Sequence, residues 1–160
     1  MLILLKIINK KYYLKCYIFV TKQFTMKKDI DFPKSENVYF AAICEWNDDF
    51  QEDSWYAYLV NNTDEPLEMA LIVSRAYGII NGEQRKTGMF RHAFKEVPAQ
   101  SMTKVELLEN NVLQLNNEFS LSYFMQNKMY DKKFVFKTNT INKNAQCDLP
   151  IGNKRGVLVK

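Results

Sequence analysis

VYFAAICEW, residues 38 to 46, and SWYAYLV, residues 54 to 60, both repeat with a period of two, and this rhythm limits the fold more than any other feature of the chain. In the first, Val38, Phe40, Ala42, Cys44 and Trp46 alternate with Tyr39, Ala41, Ile43 and Glu45. In the second, Trp55, Ala57 and Leu59 alternate with Tyr56, Tyr58 and Val60. Side chains change face at every residue of a strand but recur every 3.6 residues on a helix, so both stretches predict strands. NDDFQED (47–53), between them, is too acidic to continue either and predicts a loop.

The same rhythm recurs downstream. AYLVNNTDEPLEMALIV (57–73) sets the turn formers Asn61, Asn62, Thr63, Asp64 and Pro66 between two apolar runs. It predicts a β-hairpin whose returning strand puts Leu67, Met69, Leu71 and Val73 on one face. Asn81-Gly82 is a strong hairpin signal, because both residues accept the positive φ of a type I′ turn. Phe90, His92 and Phe94 then share a strand face, Pro98 ends that strand, and Val105 and Leu107 share a face of the next. NNVLQLN (110–116) is the expected place for a short helical turn. Phe119, Leu121, Tyr123 and Met125 mark one further strand and Phe134 and Phe136 another, across a turn at Asn127 to Asp131. After Thr140 the pattern fades. The ending CDLPIGNKRGVLVK predicts an extended tail docked along a sheet edge.

About seven short strands at regular spacing, with one short helical turn, argue an all-β fold: an antiparallel β-sandwich of immunoglobulin-like type. A partly open barrel such as the OB-fold is the alternative. The organisation expected is an N-terminal extension over 1–25, a sandwich over 26–142 and an extended C-terminal tail over 143–160. With 160 residues, 47% of them apolar, one core can bury roughly two thirds of the unfolded surface without staples. Cys16, Cys44 and Cys147 are odd in number and form no C-x-x-C pair, which favours a reducing cytoplasm over a disulfide or zinc framework.

The net charge of +4 is unevenly placed. Residues 1–25 contain five lysines and no acid, so residues 26–160 carry 17 basic against 18 acidic side chains. A nucleic-acid reader concentrates its positive charge on the folded domain, and here the body is nearly neutral, so nucleic acid is not the expected partner. The segment MLILLKIINKKYYLKCYIFVTKQFT is built mostly of residues with AT-rich codons and resembles translated upstream DNA, which makes Met26 the expected start. Lys6, Lys10, Lys11 and Lys15 interrupt its apolar runs below the h-region of about 7–15 residues that a signal peptide needs. They also rule out the roughly 20 apolar residues of a transmembrane span. Peripheral membrane contact through residues 1–25 is the alternative use.

Several residues invite a chemical reading. His92 is the only histidine, and as a general base it would need a nucleophile and an orienting carboxylate that no local motif supplies; a packed or half-buried structural histidine is expected. Glu45, Asp48, Asp49, Glu52 and Asp53 are acids enough for a hard cation, but the EF-hand glycine and terminal glutamate are missing, so a solvated loop is expected and no metal. Lys132 to Lys137, KKFVFK, resembles the stacking strand of an RNA-recognition module without its glycines, and alternation sends Phe134 and Phe136 to the core. GNKRG (152–156) lacks P-loop spacing, and Asn61-Asn62-Thr63 matches a glycosylation acceptor with no signal peptide before it. From Cys44 to Glu68 there are eight acids and no base, whereas Lys128 to Lys160 holds eight bases and two acids, a polarity able to orient a partner. Finally, a sandwich buries one face of each sheet, so Tyr39, Ile43, Tyr56 and Tyr58 on the second face of the first two strands need a cover. The tail, a loop or another molecule would serve, which makes these four the candidate interaction face.

Tyr58-Leu59-Val60-Asn61, Leu115-Asn116-Asn117-Glu118-Phe119 and Phe134-Val135-Phe136-Lys137 give the chain from about Met26 onward a resemblance to a group of small uncharacterised bacterial β-proteins. It is more distantly similar to the β-domain found beside Smr (small MutS-related) nuclease domains. This resemblance implies no functional residues. Short chains of this type also carry the label phenylalanyl-tRNA synthetase α subunit, which implies a class II catalytic core and a role in translation. The sequence departs from that core: Phe90-Arg91-His92-Ala93 lacks the glutamate of its arginine-containing ATP motif, and no glycine-rich motif with a terminal arginine is present. The function expected is therefore a cytoplasmic, non-enzymatic interaction or accessory module without catalytic residues or cofactor, acting on a protein partner or as a homo-oligomer.

Overall fold

The structure, a computed structural model, describes residues Pro33–Lys160. The expectations for residues 1–25, the basic extension and its membrane alternative, lie outside the described residues. The fold is all-β: two antiparallel five-stranded sheets packed as a β-sandwich. Among the described residues ten strands replace the expected seven or so. In chain order they are β1 (Val38–Asn47), β2 (Glu52–Asn61), β3 (Leu67–Ile80), β4 (Glu83–Lys86), β5 (Phe90–Val97), β6 (Ser101–Leu108), β7 (Asn116–Met125), β8 (Lys128–Phe136), β9 (Cys147–Asp148) and β10 (Arg155–Val159). Sheet I has the order β6-β2-β1-β10-β9. Sheet II has the order β4-β3-β7-β8, with β5 also paired to β3.

The alternation in β1 and β2 survives except at Trp46, which the rhythm puts on the core face but which is 58% exposed near the end of β1. Val38, Phe40, Ala42, Trp55, Ala57 and Leu59 enter the core between the sheets, where they meet Ile72, Phe119, Leu121, Phe134 and Phe136 of sheet II. Phe40 stacks on Phe119 with ring centroids 4.6 Å apart and lies 5.1 Å from Phe134. Phe134 and Phe136 are core residues, as alternation requires of KKFVFK. The Asn81-Gly82 turn has φ of 53° and 80° between the paired Ile80 and Glu83, a two-residue type I′ geometry.

The hairpin expected over 57–73 does not form. β2 pairs with β1 and β6, while β3 pairs with β4, β5 and β7, so residues 62–66 carry the chain from one sheet to the other. Asn61 makes that crossing possible. It is fully buried, and its amide nitrogen donates to the carbonyls of Glu65, Val97 and Pro98 at 2.9, 3.3 and 2.9 Å while its oxygen accepts from the Thr63 amide and hydroxyl. One side chain thus satisfies two chain crossings, β2 to β3 and β5 to β6. Turn formers in the sequence announce a change of direction, but pairing partners decide whether it is a hairpin.

Three further expectations change. The face predicted for β3 breaks after Leu67: the pairing with β7 slips by one residue between Glu68 and Leu71, with Met69 at φ 50°. The bulge turns Met69 and Leu71 outward and sends Ala70 and Ile72 to the core. The helical turn expected at 110–116 is a pair of reverse turns, closed by Val112 N to Glu109 O and Leu115 N to Val112 O at 3.0 Å each. The 3-10 turn among the described residues is Lys143–Ala145, initiated by Asn142, whose side chain accepts from the amides of Asn144 and Ala145. The β7–β8 turn is shorter than expected, with Gln126 and Asn127 at φ 50° and 59° between the paired Met125 and Lys128. The tail does dock on an edge: β10 pairs with β1, where Gly156 lies so close that an added Cβ would sit 2.7 Å from the Ala42 carbonyl oxygen.

Asn61→Ala is expected to lower stability by about 2 kcal/mol or more, because carbonyls of both crossings lose their donor. Denaturant melts check this, with Asn62→Ala as the neighbouring control; a midpoint equal to wild type would remove Asn61 from this role.

Candidate functional site

Among the described residues, two of the places that gather chemistry-bearing side chains hold residues singled out from the sequence. The first is the outer face of sheet I. Here Ile43 and Tyr58 are 3% and 6% exposed, packed with Ala41, Val60 and Leu149, and flanked by Tyr39, Tyr56, Met102, Ile151 and Leu158. The cover that the tyrosine face needs is therefore supplied in part by the chain's own C-terminal segment. Leu149 and Ile151 come from the connection between β9 and β10, which is closed by Leu149 N to Lys154 O at 2.9 Å. Of the four residues of the candidate interaction face, Tyr39 and Tyr56 remain half-buried.

Glu45 fastens that cover. One carboxylate oxygen meets Lys154 Nζ at 2.7 Å; the other meets Lys104 Nζ at 2.7 Å and accepts from Tyr58 Oη at 2.8 Å. Lys104 lies 3.9 Å from the Tyr56 ring centroid, a cation–π contact. Burial pushes the Glu45 carboxyl up, but the hydrogen bonds from Lys104, Lys154 and Tyr58 outweigh it and hold the group down at about 2. Burial and the bond to Glu45 together push the Tyr58 hydroxyl up. Three of the five acids of the β1–β2 region are spent separately, Glu45 as described, Asp53 on Lys143 at 2.8 Å and Asp48 on the Trp46 indole at 3.0 Å, while Asp49 and Glu52 are exposed. The charge polarity of the sequence is thus used partly inside the molecule, through Lys143 and Lys154.

The second place is a cleft of about 340 Å³ at the open side of the sandwich, where β3 and β5 of sheet II face β6 of sheet I. His92 stands here, half-buried as expected, and its Nε2 lies 2.5 Å from Glu106 Oε2. Ser74, buried on β3, donates to the same oxygen at 2.8 Å. Glu106 points inward because β6 carries a bulge: Val105 has no partner where Ala57 pairs with Glu106 and Tyr58 with Lys104. Val105 packs against the core, Glu106 follows it inward, and Leu108 rather than Leu107 is the core residue beyond. The shared face predicted for Val105 and Leu107 is lost for that reason.

His92, Glu106 and Ser74 are the types that hydrolytic triads use, but the order of bonds differs. In a triad the imidazole stands between hydroxyl and carboxylate and takes the hydroxyl proton. Here the carboxylate is central, and Ser74 donates to it instead of to the imidazole. The serine is not activated for attack; the arrangement ties β3 and β5 to β6. Sequence reasoning found His92 but missed Glu106 and Ser74, since a bulge has no periodic signature.

Glu45 is ionised at neutral pH with its folded value below its ordinary 4.5, so the stability it contributes is present above about pH 4.5 and is lost as pH falls toward 2. The difference in denaturation midpoint between wild type and Glu45→Gln is expected to be constant from pH 6 to 5 and to shrink steadily toward pH 2; a difference that does not change with pH would exclude Glu45 as the fastening charge. Comparison of the chain with protein-family models, with curated proteins and with solved structures found no match.

Proposed function

We propose that this protein is a non-enzymatic interaction or accessory module of the cytoplasm, which engages a protein partner or a second copy of itself through the ribbon formed by β3 and β4. The observation that carries this reading is that four of the ten exposed large apolar side chains among the described residues lie on or beside one projecting element. Beyond Tyr77, β3 pairs among the described residues with β4 alone, so the ribbon there has two strands and no further sheet neighbour. Ile79 is 68% exposed, Met89 56% and Phe90 59%, and Tyr77 is exposed beside them. A two-stranded ribbon is marginal in water by itself, and bare apolar side chains on it gain most by meeting another surface.

A rigid scaffold that presents a projecting element is how immunoglobulin-like sandwiches commonly recognise partners, and this analogy supports the reading at the level of fold only. The nearly neutral body argues for a protein partner over nucleic acid. By resemblance alone, the setting would be nucleic-acid-handling machinery. Among the described residues no helix is long and apolar enough to cross a membrane. The half-buried Tyr39 and Tyr56 form a second, smaller candidate surface for the same kind of partner.

Ile79→Asp combined with Met89→Asp is the direct test, since both side chains are exposed and surface changes of this kind cost little folding stability. The double variant is expected to lose self-association in sedimentation velocity, or to lose a partner recovered from native lysate, while Tyr39→Ala with Tyr56→Ala retains it. Unchanged association of the ribbon variant would remove the ribbon from consideration, and loss in the tyrosine variant alone would move the interface to sheet I.

A further inference from the structure

The cleft between β3, β5 and β6 is more than the place where two sheets are tied. Its volume of about 340 Å³ falls at the lower end of the range for small-molecule sites. Apolar walls come from Phe119, Leu108 and Val112, with Phe90 at the rim. Its polar groups are unequally committed. Of the donors, Ser74 Oγ is given to Glu106, Thr87 Oγ1 to the Gly88 carbonyl, and the Arg75 guanidinium to Glu118 at 2.8 Å. The Asn117 amide nitrogen is given to the carbonyls of Val112 and Leu115 at 2.9 and 3.1 Å.

The acceptors are another matter. Both bonds to Glu106 converge on Oε2, so Oε1 has no partner among the described residues. Asn117 is only 4% exposed, and its Oδ1 likewise has no partner among the described residues. Neither oxygen is sealed from solvent, since the described residues contain no fully buried side-chain oxygen without a hydrogen bond. Glu109 adds a second carboxylate to the lining, one oxygen of which accepts from the Asn111 amide at 3.2 Å. A small cleft that offers open acceptors, two carboxylates against one arginine already paired with Glu118, and apolar walls is complementary to a positively charged donor on an apolar body.

We propose that this cleft binds a small organic cation, an amidinium, guanidinium or primary ammonium group carried on an apolar or aromatic body. The cationic head meets Glu106 Oε1 and Asn117 Oδ1, and the body lies against Phe90, Val112 and Leu108. The two readings share Phe90 but not the residues that their tests change: Ile79 and Met89 do not line the cleft, so a failure of either test leaves the other reading standing.

Benzamidine is the probe, with benzoate and benzyl alcohol as anionic and neutral partners of the same size, each titrated into full-length protein followed by two-dimensional NMR. Benzamidine is expected to give saturable shifts confined to residues around Phe90, His92, Glu106, Val112 and Asn117, with benzoate and benzyl alcohol at least tenfold weaker. Glu106→Gln, which keeps the shape and removes the charge, is expected to weaken benzamidine by roughly tenfold or more with spectral dispersion retained. Equal shifts from benzoate or benzyl alcohol, no localised shifts from benzamidine, or unchanged affinity in a folded Glu106→Gln would each overturn the proposal. The three wild-type titrations decide it even if that variant does not fold.

Discussion

Phe40 stacked on Phe119 across the gap between the sheets is the contact on which the rest of the domain depends. Phe40 sits on β1, the middle strand of sheet I, and Phe119 on β7, flanked by β3 and β8 in sheet II. Phe134 and Phe136 pack around this pair, so the centre of the sandwich is filled by aromatic rings in offset and edge-on geometry. Strand order and crossings are arranged so that these rings meet. Toward the side where β5 and β6 lie, the filling gives way to Ser74, His92 and Glu106, and the sheets are joined there by hydrogen bonds instead of hydrocarbon.

Two single-residue irregularities decide where chemistry appears. The bulge at Met69 turns apolar side chains out of β3, and the bulge at Val105 turns an acid into the sandwich on β6. A carboxylate placed between two sheets costs desolvation unless it is hydrogen-bonded, and Ser74 and His92 supply partners to one of its oxygens. The other oxygen is what gives the cleft a chemical character. On the opposite side of sheet I, Glu45 has a different task. Three donors converge on it from β2, β6 and the β9–β10 connection, so the chain's end is held over a face that would otherwise be bare.

The strands of the central layers were legible residue by residue. Trp46 apart, the faces read for VYFAAICEW and SWYAYLV, for Phe119 to Met125, and for Phe134 with Phe136 are the faces the molecule uses, since burial on one side of a sheet imposes period two on the sequence. The Asn81-Gly82 turn was legible because its φ values favour those residues. The β7–β8 turn was read too long because Gln126 adopts a positive φ without belonging to the residue types that announce one. Of the cleft only His92 stood out, and of the tyrosine face its four residues and their need for a cover, but not which part of the chain supplies it.

The sequence by itself determined that this protein is made of strands, which of their faces are apolar in the central layers, and where the chain changes direction. These are local properties, set by side-chain alternation and by the backbone preferences of Asn, Gly and Pro. Only the tertiary structure decided that residues 62–66 cross between sheets, that the C-terminal segment covers Ile43 and Tyr58, and that Glu106, Ser74 and His92 share a cleft. Each of these depends on which distant strand lies alongside, and a period of two is the same whichever neighbour that is.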